Sequence, residues 1–171
     1  HIVGVHFLNL ATVGGSVFGR FGFSDVLTLL LVMDSYVELY KGGIVPLADF
    51  VNMPYDRDIL VRVIVKKTAA HYSYKSVRIS KTDFPVLTCA VAKRADGYAA
   101  VVGATPHLAE VVLDRQGVLT EITDESISKF AEQVSEEIRF GSNVRSGAAY
   151  RKAVCRVLVK RALETWKGEQ I

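Results

Sequence analysis

Four glycines, at positions 14, 15, 19 and 22, fall within nine residues of this chain, immediately before its most apolar run. Gly14 and Gly15 are flanked by Thr12 and Ser16 in Asn9-Leu-Ala-Thr-Val-Gly-Gly-Ser16, and Ser24-Asp25 opens the apolar stretch that follows. Glycine lets backbone approach a ligand closely and tolerates a positive φ, and successive amides in such a turn form an anion-binding nest. The commoner phosphate loops are excluded. Gly14 and Gly19 have the outer spacing of a P-loop, but Arg20-Phe21 stand where Lys-Ser/Thr is needed, and Ser16 breaks the G-x-G-x-x-G dinucleotide pattern. On pattern alone the segment reads as a tight turn from a strand at residues 2–8 into a helix, with an anion cradle as the alternative.

The rest of the chain reads as α+β. Ser24 has the chemistry of an N-cap, and Asp25 places a negative charge in the first turn, where the helix dipole favours it. Strands are predicted at residues 36–40 and 59–65, with a short helix at 47–51 between Pro46 and Pro54. A boundary is expected near residues 66–70. Beyond it come strands at 72–79, 85–93 and 98–104, the last two joined by the Asp96-Gly97 hairpin signal. Ile127, Phe130, Ala131, Val134 and Ile138 keep helical spacing up to a stop at Gly141. Tyr150, Ala153, Val154, Val157 and Leu158 mark a last helix ending near Trp166. This second block is a three-stranded antiparallel sheet with helices on one face.

Composition narrows the chemistry. Half the residues are apolar and 23% are charged, enough for a real core and against wholesale disorder. The apolar runs at residues 26–33 and 59–65 are too short to span a bilayer, and the first residues lack the pattern of a secretory signal. Cys89 and Cys155 stand far apart in apolar surroundings, which reads as buried reduced thiols in a reducing compartment. With no C-x-x-C and no ligand spacing among the histidines, no metal site is expected. Asp56-Arg57-Asp58 reads more readily as a local ion pair and turn than as an acid–base pair. No nucleophile or paired carboxylates stand out, so no catalytic residue is assigned and chemistry would rest on a bound cofactor. The net charge is +3, but residues 145–167 hold seven Lys/Arg against one acid, Glu164. Lys152, Arg156 and Lys160 share a helical face. It reads first as a solvated face, second as a docking surface for an acidic partner, and last as a nucleic-acid surface, since no base-reading motif accompanies it.

A series of motifs in order gives the chain a family resemblance. These are Ala11-Thr-Val-Gly-Gly-Ser16, Ser24-Asp25, Leu29-Leu-Leu-Val-Met-Asp34-Ser-Tyr-Val-Glu-Leu39, Asp58-Ile-Leu60, Tyr74-Lys75 and Asp83-Phe-Pro85. They end with Arg145-Ser-Gly-Ala-Ala-Tyr-Arg151 and Val157-Leu-Val-Lys-Arg-Ala-Leu163. Together they resemble the flavoprotein (medium) subunit of the xanthine dehydrogenase and carbon monoxide dehydrogenase family of molybdenum hydroxylases. Ser16 departs from the family's asparagine, and Arg145-Ser-Gly inverts its Arg-Gly-Ser. The resemblance implies the second subdomain of a two-part FAD-binding domain at residues 1–68 and the subunit's C-terminal domain at 69–171. It implies FAD contacts from Thr12, Gly14, Gly15 and Ser16 to the pyrophosphate or ribityl part. It further implies a contact from Asp25 to a cofactor hydroxyl, from Leu60 to the flavin, and from Lys75 to the flavin ring. The family's first FAD subdomain has no counterpart here, so a fragment or half of a split protein is expected, holding FAD weakly or not at all by itself. The implied partners are that N-terminal subdomain, a molybdenum-cofactor subunit, a [2Fe–2S] subunit, and NAD or another electron acceptor, in the cytoplasm. Neither nucleic acid nor a membrane span is expected. The alternatives are a flavin-free binding or assembly module that keeps the fold and partner surface, and an unrelated basic binding domain.

Overall fold

The structure is a computed structural model that describes residues 4–167. Its elements are α1 (Val5–Leu10), α2 (Val13–Phe18), α3 (Asp25–Val32), β1 (Ser35–Leu39), β2 (Gly43–Pro46), α4 (Leu47–Phe50), β3 (Leu60–Val65), β4 (His71–Arg78), β5 (Pro85–Arg94), β6 (Gly97–Gly103), β7 (Glu110–Leu113), α5 (Asp124–Glu137) and α6 (Ala148–Glu164). The α+β class holds. The strands form two antiparallel sheets, ordered β2-β1-β3 and β4-β5-β6-β7. Gly97, at φ 117°, turns the β5–β6 hairpin where Asp96-Gly97 predicted it.

β5 and β6 are buried on both faces, and this organises the molecule. Leu87, Cys89, Val91, Ala100 and Val102 face α5 and α6, packing with Phe130, Val134, Leu158 and Val159. Ala90, Ala92, Ala99 and Val101 face the other way, onto Leu27 and Leu31 of α3. The small side chains on that second face let α3 lie close. Thr28 of α3 and Thr88 of β5, both fully buried, share a hydrogen bond of 2.9 Å across the contact. One sheet thus lies on each side of residues 66–70, while the packing runs across that stretch.

The structure corrects several expectations. Residues 5–10 are helical rather than a strand, and Ile2 and Val3 of that expectation lie outside the described residues. A short apolar run does not by itself distinguish helix from strand; here Phe7 is held edge-on to Phe84, with ring centroids 5.7 Å apart. The second sheet has four strands, not three. β7 pairs with β6 from Ala99↔Leu113 to Val102↔Glu110 and is too short to have shown an alternation. α5 leaves the helical conformation at Ile138, before Gly141. Gly141 instead donates to the Thr105 carbonyl at 2.5 Å and accepts from Arg151 at 2.7 Å.

On α6 the buried line runs through Arg151, Cys155, Leu158 and Ala162, leaving Tyr150, Ala153 and Val157 exposed. The reason is Arg151, whose fully buried guanidinium is caged by acceptors. It donates to the carbonyls of Val86 (3.0 Å), Gly141 and Ser146 (2.7 Å each) and to Asn143 Oδ1 (2.7 Å). Burial lowers its basicity. Two residues of the expected basic face of α6, Lys152 and Arg156, reach across to α5. Lys152 pairs with Glu136 at 2.6 Å, and Arg156 with Glu132 at 2.8 Å and Glu136 at 3.1 Å. Cys89 and Cys155 are buried and free. Burial raises both thiols, Cys155 to about 12, so neither is a ready thiolate.

Candidate functional site

The glycine segment is not a loop. Thr12 is the N-cap of α2, its Oγ1 accepting from the Gly15 amide at 2.9 Å, and Gly14 and Gly15 form the helix's first turn with ordinary negative φ. A helix start, whose leading amides have no helical acceptor, therefore stands where the pattern gave a tight turn, with a glycine nest as the alternative. Ser24 caps α3 as predicted, accepting from the Leu27 amide at 3.1 Å. The two helix starts face a common cleft of about 290 Å³.

The link between α2 and α3 is held rigidly. Arg20, at φ 48°, donates to the Met53 carbonyl and lies over the rings of Phe50 (4.0 Å) and Tyr55 (4.6 Å). Gly22 sits where a Cβ would stand 1.8 Å from the His107 carbonyl oxygen, so only glycine permits this docking on the β6–β7 connection. Phe21 and Phe23 then stack at 5.2 Å, and Phe23 meets Phe84 edge-on at 4.8 Å. Phe7, Phe21, Phe23 and Phe84 wall one side of the cleft, and Thr12, Ser16, Ser24 and Asp25 supply its polar groups.

Of the residues expected from the sequence, Thr12, Gly15, Ser16 and Asp25 line this cleft. Gly14 is turned toward Leu60, whose Cδ2 would lie 3.9 Å from a Cβ there, and Leu60 packs into the core behind α2. Lys75 lies on β4 between Tyr74 and Ser76. Tyr74 packs on the α3 side and Val77 on the α5–α6 side; alternation along the strand therefore puts Lys75 on the face away from the cleft. The structure thus gathers four of the seven residues, with Gly14 and Leu60 behind them and Lys75 apart.

Asp25 is nearly fully buried at the head of α3. Arg78 forms an ion pair with it and the Tyr74 hydroxyl donates to it. Burial first, and then the charge of Asp25, raises the Tyr74 phenol well above its ordinary value, so it remains a donor at neutral pH. At the far side of the cleft's Phe84, Asp83 accepts from Arg145 at 3.2 Å and from the Phe84 amide at 2.7 Å. Those bonds hold its carboxyl below the usual range. Sequence reasoning missed the phenylalanine wall and the Tyr74–Arg78 pair. The density of Phe between positions 18 and 23 was a legible signal; the convergence of β4 on α3 was not.

The donor set suits the phosphate and sugar portion of a dinucleotide. Hydroxyls of Thr12, Ser16 and Ser24 and the leading amides of two helices can meet an anion. Asp25 can accept from a hydroxyl, and Gly15 leaves open the space that a Cβ, 3.0 Å from Thr12 Oγ1, would crowd. Among the described residues, no Lys or Arg lines the cleft, so the lining would meet an anion's charge through dipoles. The volume is at the small end for ligand pockets, room for part of a cofactor rather than all of it.

No family model matches the sequence, and no curated protein matches it. Solved structures do match by fold. A carbon monoxide dehydrogenase from Hydrogenophaga pseudoflava that lacks the Mo-pyranopterin moiety of its molybdenum cofactor superposes with a TM-score of 0.83 at 19% identity, over 95% of this chain and 63% of that one. The reconstituted CO dehydrogenase from Oligotropha carboxidovorans gives 0.82 at 18%, over 95% and 63%. Quinoline 2-oxidoreductase from Pseudomonas putida 86 gives 0.80 at 17%, over 96% and 63%. The chain spans somewhat less than two thirds of the length of the solved chains it matches. Its α+β fold is therefore that of one chain of carbon monoxide dehydrogenase and quinoline 2-oxidoreductase, in line with the resemblance its motifs carry.

Proposed function

We propose that this chain is part of the FAD-binding flavoprotein subunit of a molybdenum hydroxylase of the xanthine dehydrogenase and carbon monoxide dehydrogenase type. The observation that carries the reading is the meeting of Thr12, Gly15, Ser16 and Asp25 in one cleft, since these are residues at which the family resemblance expects FAD. In this role the starts of α2 and α3 receive the pyrophosphate, and the Thr12 and Ser16 hydroxyls donate to its oxygens. Asp25 accepts from a sugar or ribityl hydroxyl, and the phenylalanine wall keeps water from that side. Gly14 and Leu60 support α2 from behind. Lys75 would reach the cofactor only beyond this cleft. FAD, when bound, supplies electron storage between iron–sulfur clusters and an acceptor such as NAD. The parent assembly would bring an N-terminal FAD subdomain, a molybdenum-cofactor subunit and a [2Fe–2S] subunit, in the cytoplasm.

The second reading is a flavin-free binding or assembly module. The exposed Val5, Leu8 and Leu10 of α1, next to the cleft, favour it. Amide NMR spectra of the chain, titrated with FAD to millimolar concentration, separate the two. Saturable shifts at Gly15, Ser16 and Asp25, weakened at least tenfold by Gly15→Ala in a folded protein, are expected for a flavin site. The absence of saturable shifts at those amides would leave the assembly module as the function.

A further inference from the structure

Asp25 is an odd acceptor to find at the head of a ligand cleft, because its side chain is only 4% exposed and a buried carboxylate is costly unless it is paired. Here the pairing is one-sided. Both the Tyr74 hydroxyl and the Arg78 guanidinium donate to Oδ1, and no hydrogen bond among the described residues uses Oδ2. Arg78 is itself pinned, its other terminal nitrogen donating to the Asp83 carbonyl at 2.8 Å. The residue after Asp83 is Phe84, which walls the cleft. Tyr74 and Arg78 lie four apart on β4, and so share a strand face. The same strand and turn therefore fix the carboxylate's charge balance, its rotation and the adjoining aromatic wall.

We infer that Tyr74 and Arg78 are positioning residues for ligand binding. They hold Asp25 by one oxygen and leave the other as an oriented, charged acceptor for a ligand hydroxyl. This rests on the proposed FAD site and deepens it, since it assigns the selection of a hydroxyl-bearing ligand to a pair of residues that need not touch the ligand. A carboxylate held in this way has already lost its rotational freedom before the ligand arrives, so less affinity is spent on ordering it.

The test is a thermodynamic cycle read by FAD dissociation constants from amide NMR titrations, well below the melting temperature of each protein. The four proteins are wild type, Tyr74→Phe, Asp25→Asn and the double variant. Tyr74→Phe removes one donor and keeps the ring, and is expected to weaken FAD binding about fivefold, the ordinary worth of one hydrogen bond. In the Asp25→Asn background the same change should alter affinity less than twofold, because Tyr74 acts only through Asp25. A merely structural tyrosine would lower the melting temperature and leave the dissociation constant unchanged. An equal effect in both backgrounds, or none in either, overturns the inference while the FAD site stands. Wild type without saturable FAD binding overturns both. Arg78→Lys, which keeps the charge and loses the two-ended fork, completes a second cycle if Tyr74→Phe does not fold; a fully additive second cycle would likewise overturn the inference.

Discussion

Asp58 shows what a carboxylate in a turn does in this chain. In Asp56-Arg57-Asp58 the sequence favours a local ion pair and turn over an acid–base pair, and the structure gives the turn through backbone amides. Asp58 closes the turn after β1: Oδ1 accepts from the Lys41 amide at 2.9 Å and the Ile59 amide at 2.8 Å, and Oδ2 from the Gly42 amide at 2.8 Å. Its own amide donates to Asp56 at 3.0 Å. Desolvation works against its charge, but the amides of Lys41, Ile59 and Gly42, with the Lys41 ammonium, outweigh it and hold the carboxyl below the usual carboxylate range. The sign of the pH dependence follows. The unfolded chain takes up a proton first as pH falls, near the ordinary value of about 3.9. The stabilisation from Asp58 is thus fully present above that value and is lost as pH falls through the lower, folded value. Thermal melts of wild type and Asp58→Asn should differ by a constant interval at neutral pH, and that interval should shrink below about pH 4. A gap that stays constant into acid would mean that the charge of Asp58 plays no part.

Among the elements, those with a strong local signal were legible and those decided by tertiary contact were not. The capping serine of α3 fixed its start to the residue, because Ser24 offers its oxygen to the Leu27 amide whatever lies around it. Ser24→Ala is accordingly expected to cost about 1 kcal/mol, measured by denaturant unfolding; stability equal to wild type would show that solvent caps this helix as well. α2 was misread for a related reason. Two glycines weaken helix propensity, but Thr12 caps them into one, and a short helix whose stability comes from packing carries little trace in propensity. β7 depends on β6 for every ladder bond, and its four residues are too few to show an alternation. The basic stripe on α6 needed the facing stripe of Glu132 and Glu136 on α5 to be understood, and two separate helical patterns do not reveal that they are neighbours. The candidate site followed the same division. Its polar residues near α2 and α3 were readable from motif order, whereas Tyr74, Arg78 and Phe84 enter through the chain's return from the second sheet.

At the scale of the whole molecule, the expected boundary between residues 68 and 69 separates two sheets in sequence, but the core around α3 takes Ala90, Ala92, Ala99 and Val101 from beyond it. The inner strands β5 and β6 belong to both layers. Removing residues 1–68 would strip α3 from Ala90, Ala92, Ala99 and Val101 and leave an apolar face open to water. The two layers should therefore unfold together. Trp166 provides a reporter, since it is the chain's one tryptophan and packs in the α5–α6 core beside Tyr98, across the sheet from α3. Leu27, almost fully buried, belongs to the opposite core. Leu27→Ala should destabilise by about 2–5 kcal/mol through lost burial and the cavity left behind. The loss should appear with the same midpoint in Trp166 fluorescence and in far-ultraviolet circular dichroism, because one cooperative transition reports equally at every probe. Were the two regions independent domains, the Trp166 transition would stay where it is in wild type while part of the dichroism signal moved to lower denaturant. Separate midpoints would thus support the boundary at 68/69 as a true domain limit, and would place the candidate cleft, which takes Phe84 from one side and α2 and α3 from the other, at a joint between two bodies rather than on the surface of one.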